Sequence, residues 1–250
     1  HLTAAHQATF QTVGTADPNG ISLSTTPAAA DADKFSVSAT TGADTLLTLT
    51  GAAGSASLAN NVGRQVLFTA AANSSAATFT ITGTDVNGKS ITEDVTGPNS
   101  TTGSSVLFYK TITSIKTGAQ ATGGAVTVGT AAGAVELAIG GALASAGTAT
   151  NAEARNVTIT SGADDSAATF TVTGTDKDGN ALTESITGSS GAPGTATGAQ
   201  FFKTITSIKS SAVPAGTIET GVGTAIVGGP KELAGTDIGA GSPEAALALL

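Results

Sequence analysis

The stretch "GTDVNGKSITE" (Gly83–Glu93) returns ninety-one residues further on as "GTDKDGNALTE" (Gly174–Glu184). How it is read decides the fold, because its aspartates fit two different structures. A calcium loop needs further oxygen ligands at regular spacing and a distal bidentate glutamate. Here Asp85 and Asn87, or Asp176 and Asp178, supply two candidates, and no acidic residue completes the set. A hairpin turn needs only short polar residues, then a glycine able to take positive φ, between alternating strands. Asp85, Asn87 and Gly88 meet that need, as do Asp176, Asp178 and Gly179. We therefore expect one β-hairpin, written twice because it is used twice.

The repeat reaches well beyond the turn. "RQVLFTAAANSSAATFTITGTDVNGKSITEDVTG" (Arg64–Gly97) matches "RNVTITSGADDSAATFTVTGTDKDGNALTESITG" (Arg155–Gly188), and "FYKTITSIK" (Phe108–Lys116) matches "FFKTITSIK" (Phe201–Lys209). The added length in the second copy falls in the Gly/Ser/Thr-rich stretch between the two blocks, where a surface loop tolerates it. Within each copy the hydrophobic period is two. Phe79 and Ile81 share one face while Thr78, Thr80 and Thr82 share the other, and Phe170 and Val172 repeat the arrangement. Threonine on a solvent face is a good strand former. The pattern predicts an all-β protein made of two homologous antiparallel sandwich- or barrel-like domains arising from an internal duplication. Residues 1–55 are expected to form an N-terminal arm or small accessory sheet, with strands in "KFSVSA" and "TLLTLTG". The first repeat domain spans residues 56–140, the second 141–235, and a tail 236–250. In that tail "SPEAALALL" offers Ser242 as N-cap and Pro243 as first helical residue of a short helix.

Composition narrows the function. The 250 residues are 40% hydrophobic, only 4% aromatic and only 11% charged, so the cores are thin. Thin modules gain stability by assembling with copies of themselves. Ten Lys and Arg against eighteen Asp and Glu give a charge of −8 without a basic run, which argues against a nucleic-acid partner. There is no cysteine, hence no disulfide, thiolate nucleophile or cysteine-based zinc site. No apolar run reaches the length of a membrane-spanning helix, so no membrane partner is expected.

The most informative charges stand where alternation calls for apolar residues. Glu93 is in phase with Ile91 and Val95, and Glu184 with Leu182 and Ile186. Lys110 is in phase with Phe108 and Ile112, and Lys203 with Phe201 and Ile205. Arg64 and Arg155 open each copy in phase with its first strand. Half-buried charges are tolerable when paired. We expect a structural ion cluster in each copy, Glu93 with Lys110 or Arg64 and Glu184 with Lys203 or Arg155. The two histidines, His1 and His6, stand near the start of the chain, where a ligand pair lacks supporting groups. With no other histidine a Ser-His-Asp arrangement cannot be assembled, and no glycine-rich phosphate cradle occurs. The expectation is a protein that is not an enzyme and uses no cofactor.

The succession of the Arg-x-Val start, "ATFTITGTDVNGKSITEDVTGPN", "FYKTITSIK" and the closing "AVTVGTA" resembles a Thr/Gly-rich β module of tailed-phage virion proteins. The resemblance covers both copies, about two thirds of the chain, and leaves residues 1–55 outside. It implies a structural protein of the virion of a bacteriophage, and of the roles such modules carry we expect that of a capsid decoration (cement) protein. Such a protein acts as an oligomer, by analogy a homotrimer, on the outer capsid surface, with the major capsid protein as partner. The same resemblance admits a tail-tube or fibre protein. From another class, a secreted adhesive or carbohydrate-binding module fits a β-rich chain, although Tyr109 is its only tyrosine and tryptophan is absent.

Overall fold

The computed structural model describes residues 17–25, 62–118 and 125–226. The strands expected in "KFSVSA" and "TLLTLTG", both histidines and the C-terminal helix lie outside the described residues. Among the described residues the structure is all-β, with thirteen strands and no helix. In chain order these begin with β1 (Asp17–Thr25), β2 (Val62–Ala70), β3 (Thr78–Thr84), β4 (Ser90–Thr96), β5 (Thr102–Ser104) and β6 (Thr111–Thr117). They continue with β7 (Val126–Leu137), β8 (Ala144–Ser145), β9 (Thr148–Ser161), β10 (Thr169–Thr175), β11 (Ala181–Thr187), β12 (Gly194–Ser210) and β13 (Ile218–Ile226).

The expected hairpins are β3–β4 and β10–β11. Their registers correspond residue for residue, from Thr78 opposite Thr96 to Thr84 opposite Ser90, and from Thr169 opposite Thr187 to Thr175 opposite Ala181. Alternation holds in both: Phe79 and Ile81, like Phe170 and Val172, are fully buried, with the threonines on the other face. Gly88 and Gly179 have φ of 84° and 85°, the left-handed conformation that the turn reading requires of them.

Ten strands form one antiparallel sheet, curled as a half-barrel, in the order β1-β13-β9-β12-β7-β2-β5. The β10–β11 hairpin joins it through β12, and β8 lies on β9. A smaller sheet has the order β4-β3-β6. Strands of both repeats therefore share one hydrogen-bonded sheet. The junction is a two-residue ladder, Lys209 opposite Glu136 and Ser210 opposite Val135. Within the segment expected as an arm, β1 pairs with β13, and its Ile21 is fully buried in the core of the second repeat.

One break in alternation falls at the same place in each repeat. Opposite the Thr82–Gly83 step, β6 carries one extra residue, Thr113; opposite Thr173–Gly174, β12 carries Thr206. Each bulge shifts the phase of the strand beyond it, so Ile112 and Ile115 both point inward, as do Ile205 and Ile208. The bulged strand comes very close to its partner. A Cβ on Gly83 would lie 2.0 Å from the Thr111 carbonyl oxygen, and one on Gly174 1.9 Å from that of Thr204. The repeated glycine of "TGTD" is thus required by sterics.

Two cores result. The first gathers Phe68, Phe79, Ile81, Tyr109, Ile112 and Ile115, with the Phe68 and Phe79 ring centroids 4.7 Å apart. The second gathers Phe170, Phe202, Ile205 and Ile208 with apolar residues from outside its own repeat. The substitution Gly83→Ala must displace backbone and is expected to destabilise the protein by about 3 kcal/mol in denaturant unfolding. Gly103→Ala, whose Cβ would stand 3.6 Å from the nearest atom, should stay within about 0.5 kcal/mol.

Candidate functional site

The in-phase charges form the most distinctive chemistry of the fold. β4 places Glu93 on the inward face between Ile91 and Val95, and there it meets the segment after β5. Its Oε1 accepts a hydrogen bond from the Val106 N–H at 2.6 Å and its Oε2 one from Leu107 N–H at 2.9 Å. Glu184 on β11 does the same in the second repeat, its Oε1 accepting from the N–H groups of Ala199 and Gln200. A carboxylate taking two peptide donors is a strong, charge-assisted clamp. The bonds of both carboxylates run to peptide groups, so Glu93 clamps the loop after β5 and Glu184 clamps β12.

The cations also reach for peptides. Arg64, 3% exposed, directs Nη1 to the Ala131 carbonyl at 3.5 Å, and Arg155, 6% exposed, bonds the Gly223 carbonyl at 2.8 Å. Lys203 donates to the Ala152 carbonyl at 2.5 Å. Burial lowers the pKa of both Arg64 and Lys110 below their ordinary values. Arg64 exchanges both backbone hydrogen bonds with Tyr109, at 3.0 and 2.8 Å, which brings the start of β2 against the residue before Lys110. The fully buried phenol of Tyr109 is held above its ordinary pKa by burial and, secondly, by the charge of Glu93. Arg64 thus meets Tyr109 through the backbone, and Glu93 acts on it through its charge. In the second repeat Phe202 occupies the corresponding place, packed at the centre of its core.

Sequence periodicity places Phe108 and Phe201 in the core phase. The structure centres the cores on the next residue in each case, with Tyr109 and Phe202 fully buried and Phe201 part-exposed. The Arg64–Tyr109 bridge is an isolated pair outside the main ladders, and strict alternation does not foresee it.

At the turns, Asp85 Oδ1 accepts from the N–H groups of Asn87 (2.9 Å) and Lys89 (2.8 Å). Asp176 Oδ1 accepts from Asp178 (2.8 Å) and Asn180 (2.9 Å) in the same way. The side-chain bond from Asn180, ahead of the backbone bonds, lowers the Asp176 pKa. The next pair of turn residues differs. Asp178 pairs with Lys177 at 2.7 Å in solvent, whereas Asn87 Oδ1 accepts from the Ile139 N–H at 2.9 Å. Asn87 thereby fastens the first hairpin to the segment that leads into the second repeat, a role its place in a turn motif does not announce.

A further difference accompanies the clamps. In the first repeat Ser105 Oγ accepts from Val66 N–H and donates to the Leu107 carbonyl, both at 2.8 Å, where β5 ends. Gly198 stands at the aligned position in the second, and there β12 runs unbroken for 17 residues. Glu184 Oε2 turns toward the space that a Gly198 side chain would fill and is buried without a hydrogen-bond partner. Among the described residues no group of three or more His, Cys, Asp or Glu is placed to hold a metal ion.

Glu93→Ala removes the clamp and leaves two peptide donors to find other partners. It is expected to cost about 2 kcal/mol and to accelerate amide exchange at Val106 and Leu107. Tyr109→Phe should change stability by less than about 1 kcal/mol in the same assay, since the hydroxyl makes only a 3.5 Å contact with the Ile81 carbonyl. No protein-family model, curated protein or solved structure matches the chain.

Proposed function

We propose that this chain is a non-enzymatic structural protein of a bacteriophage virion, a capsid decoration protein that binds and stabilises the outer capsid surface as an oligomer. One observation carries the reading toward a structural role. The distinctive ionic side chains, Arg64, Glu93, Arg155, Glu184 and Lys203, bond peptide groups, in corresponding positions of the two repeats. Catalysis calls for acid and base groups held in contrasting environments above a cleft. Here the charges bond backbone, of a loop at Glu93 and of strands at Arg64, Arg155, Glu184 and Lys203.

The matching registers of β3–β4 and β10–β11, and the matching bulges at Thr113 and Thr206, support the further reading of two homologous domains from one duplication. The step from structural protein to virion rests on the resemblance of the repeated segments to Thr/Gly-rich phage modules. The homotrimer and the major capsid protein as partner derive from the same analogy. An acidic chain suits an outward surface better than contact with packaged nucleic acid.

Light scattering of the purified chain, with negative-stain microscopy of the same sample, tests the reading. A discrete species of three times the chain mass without polymers is the expected outcome. Tubes or stacked rings would move the assignment to a tail tube, and a monomer that fails to bind bare phage shells would overturn it.

A further inference from the structure

β1 comes from the segment before the first repeat, yet it docks on the second. Its ladder runs along the outer edge of β13, and its other close contacts are with β9 and β8. Among the described residues no ladder joins it to a strand of the first repeat, which is nearer in sequence. Ile21 is the anchor. Its side chain is fully buried in the second core, and its carbonyl accepts the N–H groups of Gly140 and Gly141 at 3.0 and 2.9 Å. The grip around that anchor is loose. The ladder pairs Asp17 with Val222, Ser22 with Thr220 and Thr25 with Ile218, and each interval between these pairs is irregular. Pro18, which has no N–H to give, falls in the first interval. The β10–β11 ladder, by contrast, runs unbroken from Thr169 to Thr175.

Residues 26–61 separate β1 from β2. A chain of that length can span on the order of 100 Å when extended. The dock itself, made by β13, β9, β8 and Gly140–Gly141, lies wholly after β7 in the chain. Every bond and apolar contact of β1 is therefore kept when donor and dock belong to different copies. We propose that β1 is an exchanged arm: in the oligomer each copy lays β1 on the β13 edge of its neighbour and buries Ile21 in that neighbour's second core. This rests on the oligomeric reading given above and adds what ties the copies together. Without β1, β13 is an open strand edge beside a core that lacks Ile21, and another strand satisfies such an edge. Passing the arm from copy to copy around a closed ring leaves no edge open, and a thin-cored chain gains stability from the tie.

The chain has no cysteine, so an introduced pair reports alone. Ser22→Cys with Thr220→Cys places two sulfurs on directly opposed residues, at a spacing that a disulfide bridges. Thr220 Oγ1 is buried without a hydrogen-bond partner, so the change there gives up no bond. After oxidation and denaturation without reductant, most of the full-length protein is expected as covalent species of two or more chains that return to single chains on reduction. Links confined within single chains, in a sample that light scattering shows to be oligomeric, overturn the exchange and leave the oligomer standing. The same links in a monomeric sample overturn both. In a second variant, Ile21→Ala shortens the anchor. Its mass should fall to that of one chain at concentrations where the parent is fully assembled, whereas an unchanged mass with a lowered unfolding midpoint overturns the exchange. Either variant alone decides the question if the other fails to fold.

Discussion

The fold depends on a contact between two backbones. At Gly83 and again at Gly174 the neighbouring strand comes so close that a carbonyl oxygen stands where a Cβ would be. That approach exists because β6 and β12 each hold one residue more than their partners there. The extra residue tightens the local twist and turns over the side chains beyond it, so that isoleucines three apart both face inward. A chain with eight Phe, one Tyr and no Trp has few large side chains with which to fill a core. Bringing Ile112 and Ile115, or Ile205 and Ile208, inward from one strand raises its apolar content without longer strands. Each fully buried side chain of this size contributes roughly 1.5–3 kcal/mol.

The same scarcity explains how the charges are used. A guanidinium or carboxylate inside a sheet protein is tolerated when it is hydrogen-bonded. Peptide groups are the partners closest at hand in strands and tight loops. Glu93 holds the loop after β5, Glu184 holds β12 at Ala199 and Gln200, and Arg64 and Arg155 hold carbonyls of β7 and β13. The two repeats act as an internal comparison. The clamp persists whether it holds Val106 and Leu107 or Ala199 and Gln200, so its role is to fix backbone, independent of the side chains it presents. Where the repeats diverge, at Asn87 against Asp178, the first makes a contact across the molecule and the second a local ion pair.

Much of this was legible in the sequence, for a definable reason. Period-two alternation and the Asp-x-Asn/Asp-Gly turns are local, and local rules fixed the hairpins, their inward faces and the positive φ of Gly88 and Gly179. The in-phase position of Arg64, Glu93, Arg155 and Glu184 was legible too, because a charge that interrupts an apolar face is visible without a structure. The peptide groups they bond were not, since a peptide N–H or carbonyl leaves no mark in composition. The bulges were hidden because one inserted residue obeys no period, and a separate irregularity of β12 between Phe202 and Thr204 goes with the displacement of the expected aromatic from Phe201 to Phe202. The shared sheet was hidden as well. It depends on how far β7 and β12 extend past the repeated core, and on a two-residue ladder between positions more than seventy residues apart.

That shared sheet bears on how the repeats stand as units. The first core draws on its own strands alone. The second contains Ile21 from β1, Val62 from the start of β2, and Val135, Leu137 and Ile139 from the end of β7 and beyond. All five are at most 4% exposed, so their burial is nearly complete. Cutting the second repeat out of the chain would remove side chains that close its core and expose apolar faces of β9 and β13. Because net stability is the small difference of large terms, a loss of that size is comparable with the whole stability of a domain of this length. The repeats match in local structure and differ in dependence: the second half needs the first.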